Sequence, residues 1–168
     1  ICNLLMNPEM MKDRFDIVKV VSTTLHSCHK GKLLDKYFDA TSEYSDQIIE
    51  DIKKSQSQYE ATERPTFALV LDDVLTQDFS KNNAVSFFAT RFRHYIDMFI
   101  IATQSFRAVS GLIRNNATDI IITKQQNQKE LMKIIEEYGS MFPSSDGAGD
   151  GEKNLMKMYL EAHKERYS

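Results

Sequence analysis

Two adjacent carboxylates follow an apolar run along this chain. Residues 67–71 read Phe-Ala-Leu-Val-Leu, and Asp72 and Asp73 come directly after them. A continuous apolar run of this length is typical of a strand buried on both faces of a parallel sheet. Ionised acids at the end of such a strand need a compensating cation or water. In a nucleotide-hydrolysing sheet this pattern is the Walker B element, in which one acid holds Mg²⁺ and the next polarises the attacking water.

The two acids receive different predicted roles. Asp72 is the better Mg²⁺ ligand because it ends the strand directly, and Mg²⁺ needs only one or two protein carboxylates. Asp73 is then the residue that orients or deprotonates the water attacking the γ-phosphate. Both acids would take part in binding the metal-bound nucleotide. The alternative is that the pair caps the next helix or begins a turn, where Asp is common. The flanking strand favours the functional interpretation.

A lone amide ends the next apolar run. Residues 98–103 read Met-Phe-Ile-Ile-Ala-Thr, and Gln104 follows them. Its amide could hydrogen-bond the γ-phosphate or the lytic water, as the polar residue of a γ-phosphate sensor strand does. The alternative is an exposed polar residue that merely ends a strand.

Arginines are concentrated after the paired acids. Four of the seven arginines in the chain are Arg91, Arg93, Arg107 and Arg114, and Asp97 is the only acid among them. The planar, permanently charged guanidinium suits phosphate recognition, and an arginine that reaches a neighbouring subunit's γ-phosphate stabilises transition-state charge. We favour Arg93 for this role, with Arg114 second. The alternative is a solvated helix face for Arg91 and surface salt bridges for the others.

Bulk properties indicate a soluble intracellular chain. Its 168 residues suit one domain or most of one, and the net charge of −3 excludes a protein that is basic overall. The two cysteines, Cys2 and Cys28, favour free thiols in a reducing compartment. No apolar run is long enough to cross a bilayer, and no secretory leader is visible. The chain opens with an apolar run and no initiator methionine, which suggests a fragment of a longer protein.

The hydrophobic patterns predict alternating strands and helices. Strands are predicted at 15–21, 66–72, 98–103 and 119–123. Residues 1–13 are predicted to be the end of a helix. Further helices are predicted from Thr41 or Ser42 to about Tyr59, through Ala84, Phe88 and Phe92, from Gly111 to Asn115, after an Asn127–Glu130 capping box, and over roughly 153–166. Residues 25–40 are predicted to be loop with one helical turn. This alternation predicts an α/β fold with a parallel sheet and helices on both faces.

The predicted topology brings the chemistry to one edge. Parallel sheets bind ligands beyond the carboxyl ends of their strands, where Asp72, Asp73 and Gln104 are all expected. For domain organisation we predict a partial ATPase domain over residues 1–142, a flexible glycine-rich linker over 143–152 and a C-terminal helix over 153–168.

Several motifs resemble a known superfamily. Ala102-Thr103-Gln104, then residues 109–116 (Val-Ser-Gly-Leu-Ile-Arg-Asn-Asn) and the run Asp119–Thr123, resemble the FtsK/HerA superfamily of DNA-pumping ATPases. Leu71-Asp72-Asp73, Arg93-His94 and Ile113-Arg114-Asn115 are most similar to the DNA-packaging ATPases of poxviruses and other large nucleocytoplasmic DNA viruses. The resemblance covers about residues 15–142.

The resemblance implies a P-loop NTPase fold of the RecA/ASCE type and a ring-shaped homo-oligomeric motor. Such a motor uses ATP and Mg²⁺ to move double-stranded DNA into a viral capsid, with a capsid or portal component as partner. It implies a location in the host cytoplasm, at the viral factory, or in the virion. Asp72 and Asp73 carry over as Walker B acids, Gln104 as the sensor and Arg93 as the trans-acting arginine. Lys81 and Arg107 are candidate DNA contacts facing the lumen of the ring.

The chain departs from this family at two points. A Walker A loop is absent, so the fragment should bind ATP poorly, and the sheet should lack the P-loop strand and leave neighbouring backbone groups unpaired. Asp73 also stands where relatives outside the viral branch usually have the longer Glu. Two other hypotheses stay open: a cellular or plasmid-encoded translocase of this superfamily, and a nucleotide-free module that uses the fold for DNA binding or assembly.

Overall fold

The computed structural model describes residues 1–74, 83–142 and 150–164 and divides the chain into two compact units. The first unit is Ile1–Ala117 and the second is Thr118–Ser168. The division therefore falls after Ala117 and not after residue 142, where the sequence suggested a boundary. Most of the predicted linker, residues 143–149, lies outside the described residues.

The first unit contains the sheet and five helices among its described residues. The strands are β1 (Ile17–Ser22), β2 (Asp39–Thr41), β3 (Phe67–Asp72) and β4 (Met98–Ala102). The helices are α1 (Cys2–Met6), α2 (His29–Tyr37), α3 (Asp46–Gln56), α4 (Asn83–Arg91) and α5 (Gly111–Asn116). Short 3-10 turns precede and follow β4, at Phe92–His94 and Phe106–Ala108.

The four strands form one parallel sheet in the order β2-β1-β3-β4. The predicted α/β fold with a parallel sheet is confirmed, whereas the P-loop superfamily stays a prediction. β3 pairs with β1 over all six of its residues and with β4 over five. On its other side β4 pairs with no strand among the described residues, so it is an edge of the sheet.

Helices cover both faces of the sheet. Neighbouring residues of a strand point to opposite faces, so Leu69 and Leu71 of β3 enter one cluster while Val70 enters the other. The first cluster includes apolar side chains of α3 and α4, and the second includes side chains of α1 and α2. Five of the six residues of β3 are buried, which explains why the strand reads as an unbroken apolar run.

The segment between β1 and β2 differs from the prediction. A loop with one helical turn was expected over residues 25–40, but this stretch contains the nine-residue helix α2 and the short strand β2. The Cys28 sulfur caps α2 by accepting a hydrogen bond from the Gly31 amide. A Cβ at position 31 would lie 2.1 Å from the Leu25 carbonyl oxygen, so only glycine permits this approach.

The predicted strand at 119–123 is wrong, and so is the predicted length of the first helix. Residues 117–127 have no regular secondary structure, and Ile121 is 82% exposed. A strand needs a partner, and no described strand pairs with this run.

The first helix ends at Met6 and not near residue 13, because Pro8 cannot continue the backbone hydrogen-bond pattern.

The second unit is built around two helices, α6 (Gln128–Tyr138) and α7 (Gly151–Ala162). Its small core joins Leu131 and Ile135 of α6 to Leu155 and Tyr159 of α7. Asn127 is the N-cap of α6 as predicted, but its side chain accepts its hydrogen bond from the Lys129 amide and not from the Glu130 amide of a capping box. Among the described residues, no helix combines the length and apolarity that crossing a bilayer requires.

A hydrogen-bonded clamp joins the amino ends of β1 and β3. The Asp16 carboxylate accepts hydrogen bonds from the Thr66 amide and the Thr66 hydroxyl, both at 2.8 Å. The Thr66 hydroxyl oxygen accepts a bond from the Asp16 amide in return, at 2.9 Å. The side-chain bond from Thr66, followed by the backbone bond, lowers the pKa of Asp16 because both favour the ionised form.

This clamp gives the stability of the chain a predictable pH dependence. A depressed folded pKa contributes stability above the unfolded pKa of Asp, about 3.9, and that contribution disappears as the pH falls through the lower folded value. We therefore expect Asp16→Asn to lower the urea midpoint at pH 7, with the difference from wild type shrinking below about pH 4. The control is Asp35→Asn, an equal charge change at an exposed α2 acid. A difference that persists unchanged at low pH would contradict the assignment.

Candidate functional site

The parallel register places three residues in one row at the carboxyl edge of the sheet. Ser22 of β1 pairs with Asp72 of β3, and Asp72 pairs with Ala102 of β4. Residues that follow this row on each strand therefore emerge side by side. Ligands of open parallel sheets bind at this edge.

Asp72 is held from the β1 side. Its Oδ2 atom accepts a 2.9 Å hydrogen bond from the Ser22 hydroxyl, which is completely buried. The side chain of Asp72 itself is half-buried. This bond occupies one carboxylate oxygen, and no described residue hydrogen-bonds the other. Asp72 thus keeps an oxygen with which to bind a cation.

Asp73 is held by its backbone from both neighbouring strands. Its amide donates to the Ala102 carbonyl at 3.0 Å, and its own carbonyl accepts from the Thr23 hydroxyl at 3.3 Å. Its φ is 54°, in the left-handed region that residues other than glycine rarely adopt. Asp tolerates this region better than most residues, but the conformation still costs energy. Strain of this kind is common at functional positions.

The two polar strand ends meet at Asp73 and Gln104. The Gln104 amide nitrogen donates a 2.9 Å hydrogen bond to the Asp73 Oδ2 atom. Thr103 and Ser105 on either side of Gln104 form a tight local turn, because the Thr103 hydroxyl oxygen accepts from the Ser105 amide. The structure therefore brings together the acid and the amide that the sequence placed at the ends of different strands.

These groups line a shallow polar concavity of about 330 Å³. Its lining consists of four hydroxyl side chains, one amide and one carboxylate: Thr23, Thr24, Asp73, Thr103, Gln104 and Ser105. A larger concavity of about 510 Å³ lies in the second unit, between α6 and α7, and its surface is mostly apolar. We assign the candidate site to the smaller one because it contains the reactive groups and lies at the ligand-binding edge of the sheet.

The chemistry of the donor set suits a hard divalent cation. Mg²⁺ prefers oxygen ligands, keeps several of its waters and takes one or two carboxylates from the protein. Asp72 supplies a carboxylate oxygen at this edge, and Asp73 and the surrounding hydroxyls can bind the waters. No cationic side chain lines the concavity, so the described lining alone does not neutralise a triphosphate.

Arg93 lies at the amino ends of the strands, opposite the end at which the acids lie. It belongs to the turn Phe92–His94 that precedes β4, and its exposed guanidinium stacks 5.0 Å from the centre of the Phe92 ring. Because the acids follow the carboxyl ends of the strands, the structure does not bring Arg93 to them within one chain. Arg93 could therefore act only at the site of a neighbouring copy of the chain.

The other basic candidates follow Gln104 along the chain. Arg107 is exposed in the turn Phe106–Ala108. Arg114 of α5 is half-buried, with its guanidinium over the Phe106 ring and a hydrogen bond to the Val109 carbonyl. This arrangement gives Arg114 a structural part in fastening the segment after β4. Lys81 lies outside the described residues.

Sequence reasoning missed the hydroxyl groups of the site. Ser22, Thr23 and Thr24 follow the predicted strand at 15–21 and received no predicted role, yet all three contact the acids or line the concavity. A signal was present in the sequence, because three consecutive hydroxyl residues follow an apolar strand that was predicted to lie in the same parallel sheet.

Comparison with known proteins adds no relative. No family model matches the chain, and no curated protein or solved structure matches it significantly. The FtsK/HerA resemblance therefore stays a prediction from the motifs.

The left-handed backbone of Asp73 can be tested by two substitutions that both remove the carboxylate. Asp73→Gly and Asp73→Ala lose the same bond to Gln104, but only alanine keeps a Cβ in the disfavoured region. We expect the glycine variant to be more stable than the alanine variant by about 1 kcal/mol in urea unfolding. An alanine variant of equal or greater stability would show that this φ is not strained.

Proposed function

We propose that this chain is the catalytic part of an ATP-driven translocase of the FtsK/HerA type that moves double-stranded DNA into a viral capsid. The observation that supports the proposal most directly is the meeting of the Asp73 carboxylate and the Gln104 amide beside Asp72. An acid pair and an amide at the ends of adjacent parallel strands suit hydrolysis of a metal-bound phosphoanhydride.

In this proposal each strand end has a separate task. Asp72 holds Mg²⁺ through the oxygen that Ser22 leaves available, and Mg²⁺ supplies the positive charge that phosphoryl transfer requires. Asp73 accepts a hydrogen bond from the attacking water and orients it. Its position is well defined, because Ala102 of β4 and Thr23, the residue after β1, both hydrogen-bond its backbone.

Gln104 links the acid to the rest of the site. One N–H of its amide is used by Asp73, which leaves a second N–H and the carbonyl oxygen for the water or the terminal phosphate. Because Gln104 is exposed at the end of β4, it can exchange partners without disturbing the core. Arg107 follows three residues later, in the turn Phe106–Ala108.

The proposed DNA contacts are made to the phosphate backbone and not to the bases. An exposed arginine such as Arg107 binds phosphate oxygens and reads no bases, so DNA binding should be independent of sequence and weaken strongly with salt. The net charge of −3 means that such contacts must come from a local basic surface.

A second candidate function is a nucleotide-free module that binds DNA or other subunits. The observation that favours it is that none of the described residues lining the polar concavity carries a cationic side chain. The coding sequence upstream of Ile1 separates the two: a strand followed by a G-x-x-x-x-G-K-[ST] loop supplies the phosphate cradle and supports the motor. An initiator codon immediately before Ile1 supports the module.

Asp73 can be tested as the water-orienting acid in the complete motor. We expect Asp73→Asn to reduce ATP hydrolysis by at least about a hundredfold while the affinity for Mg·ATP stays the same, because the amide keeps the shape but cannot act as a base. Hydrolysis is measured as phosphate release and binding as fluorescence of a labelled nucleotide. Asp35→Asn, at an exposed acid of α2, serves as the control. Hydrolysis unchanged in the Asp73 variant would refute the assignment.

Arg93 can be tested as an arginine that acts on a neighbouring subunit. We expect Arg93→Ala rings to be inactive, and mixing them with Asp73→Asn subunits to restore part of the hydrolysis, since some interfaces then combine an intact acid with an intact arginine. Arg91→Ala is a closely matched control, because Arg91 is also exposed and lies 5.1 Å from the Phe87 ring. Activity that stays absent at every mixing ratio would exclude the trans role.

A further inference from the structure

We infer that Ser22 is a positioning residue for the metal-binding acid: its buried hydroxyl holds one oxygen of Asp72 so that the other is presented to the cation. This inference rests on the proposed function, since it assumes that Asp72 binds the metal. The Ser22 hydroxyl has no other assigned part in the proposed reaction.

The contact is built into the sheet. Ser22 and Asp72 are directly paired in the β1–β3 register, and the Ser22 hydroxyl lies 2.9 Å from the Asp72 Oδ2 atom. Ser22 is 0% exposed, so its hydroxyl has no exchange with bulk water. A hydrogen bond to a charged acceptor in such surroundings is stronger than one at the surface.

The direction of each hydrogen bond in this group follows from counting protons. Ser22 has a single O–H, and the ionised carboxylate of Asp72 can only accept. Ser22 must therefore donate to Asp72. The contact of 3.2 Å between the Ser22 and Thr24 hydroxyls then requires Thr24 to be the donor. Thr24 therefore donates a hydrogen bond to Ser22, and Ser22 donates one to Asp72.

A positioned carboxylate matters more for Mg²⁺ than for most cations. Mg²⁺ requires nearly ideal octahedral geometry, so a carboxylate that rotates freely is a poorer ligand than one held in place. Groups that hydrogen-bond a ligating side chain commonly change metal affinity by about 10-fold to 100-fold when they are removed. Ser22 is such a group for Asp72, and Thr24 in turn hydrogen-bonds Ser22.

The test uses Mn²⁺ alone as the probe and the chain as it exists, with bound metal followed by electron paramagnetic resonance. We expect Ser22→Ala to weaken Mn²⁺ binding about tenfold. Thr24→Val, which keeps the shape and removes the supporting donor, should weaken binding by a smaller factor. The control is Ser86→Ala, which removes a buried hydroxyl that contacts Ser110 at 3.0 Å and does not line the candidate site.

A second measurement reports positioning without any metal. Three-bond NMR couplings of Asp72 should indicate one χ1 rotamer in the wild type and in Ser86→Ala, and averaged rotamers in Ser22→Ala. This readout does not respond to a general loss of stability, which Ser86→Ala would share.

The outcomes separate this inference from the proposed function. If Asp72→Asn abolishes Mn²⁺ binding while Ser22→Ala leaves both the affinity and the Asp72 couplings unchanged, the positioning role is overturned and the metal role of Asp72 stands. If Asp72→Asn leaves Mn²⁺ binding unchanged, the metal site of the proposed function is overturned, and the present inference fails with it.

Discussion

Parallel pairing of β3 with β1 on one side and β4 on the other sets the position of every group at the candidate site. The residues of β3 alternate between two apolar clusters, so a shift of one residue would turn each side chain to the opposite face. Such a shift would also separate Asp72 from Ser22 and Asp73 from Gln104. The packing of the core and the geometry of the site therefore both require the same register between the strands.

Charge is the second feature that shapes the site. Two neighbouring acids at a strand end attract a cation, and the described residues that line the concavity beside them are neutral polar groups and Asp73. A bare polyphosphate would be repelled by this surface, whereas one that carries Mg²⁺ arrives with compensating charge. In the proposed function, the remaining positive charge comes from outside this lining, from a phosphate-binding loop and from a neighbouring subunit's arginine.

Hydrophobic patterning predicted the helices and strands whose apolar residues follow one clear period. It failed where capping, close backbone approach or the lack of a partner strand determines the structure. β3 and α3 were recognisable because apolar residues run unbroken in the first and recur at helical spacing in the second. Helix α2 was missed because its start depends on the Cys28 cap and on the close approach of Gly31 to Leu25, which have no periodic signature. The run at 119–123 has strand-forming residues but no partner strand among the described residues, and Ile122 packs instead against the helices of the second unit.

The sequence by itself determined that two acids and an amide end apolar parallel strands, since local apolar runs and their polar ends are visible without a fold. It also determined that these ends share one edge, because parallel strands all point the same way. Only the tertiary structure decided which groups reach the acids. Ser22 and Asp72 are 50 positions apart, and Asp73 and Gln104 are 31 apart. Contacts at such separations depend on the register between strands and on side-chain direction, and no local pattern encodes either.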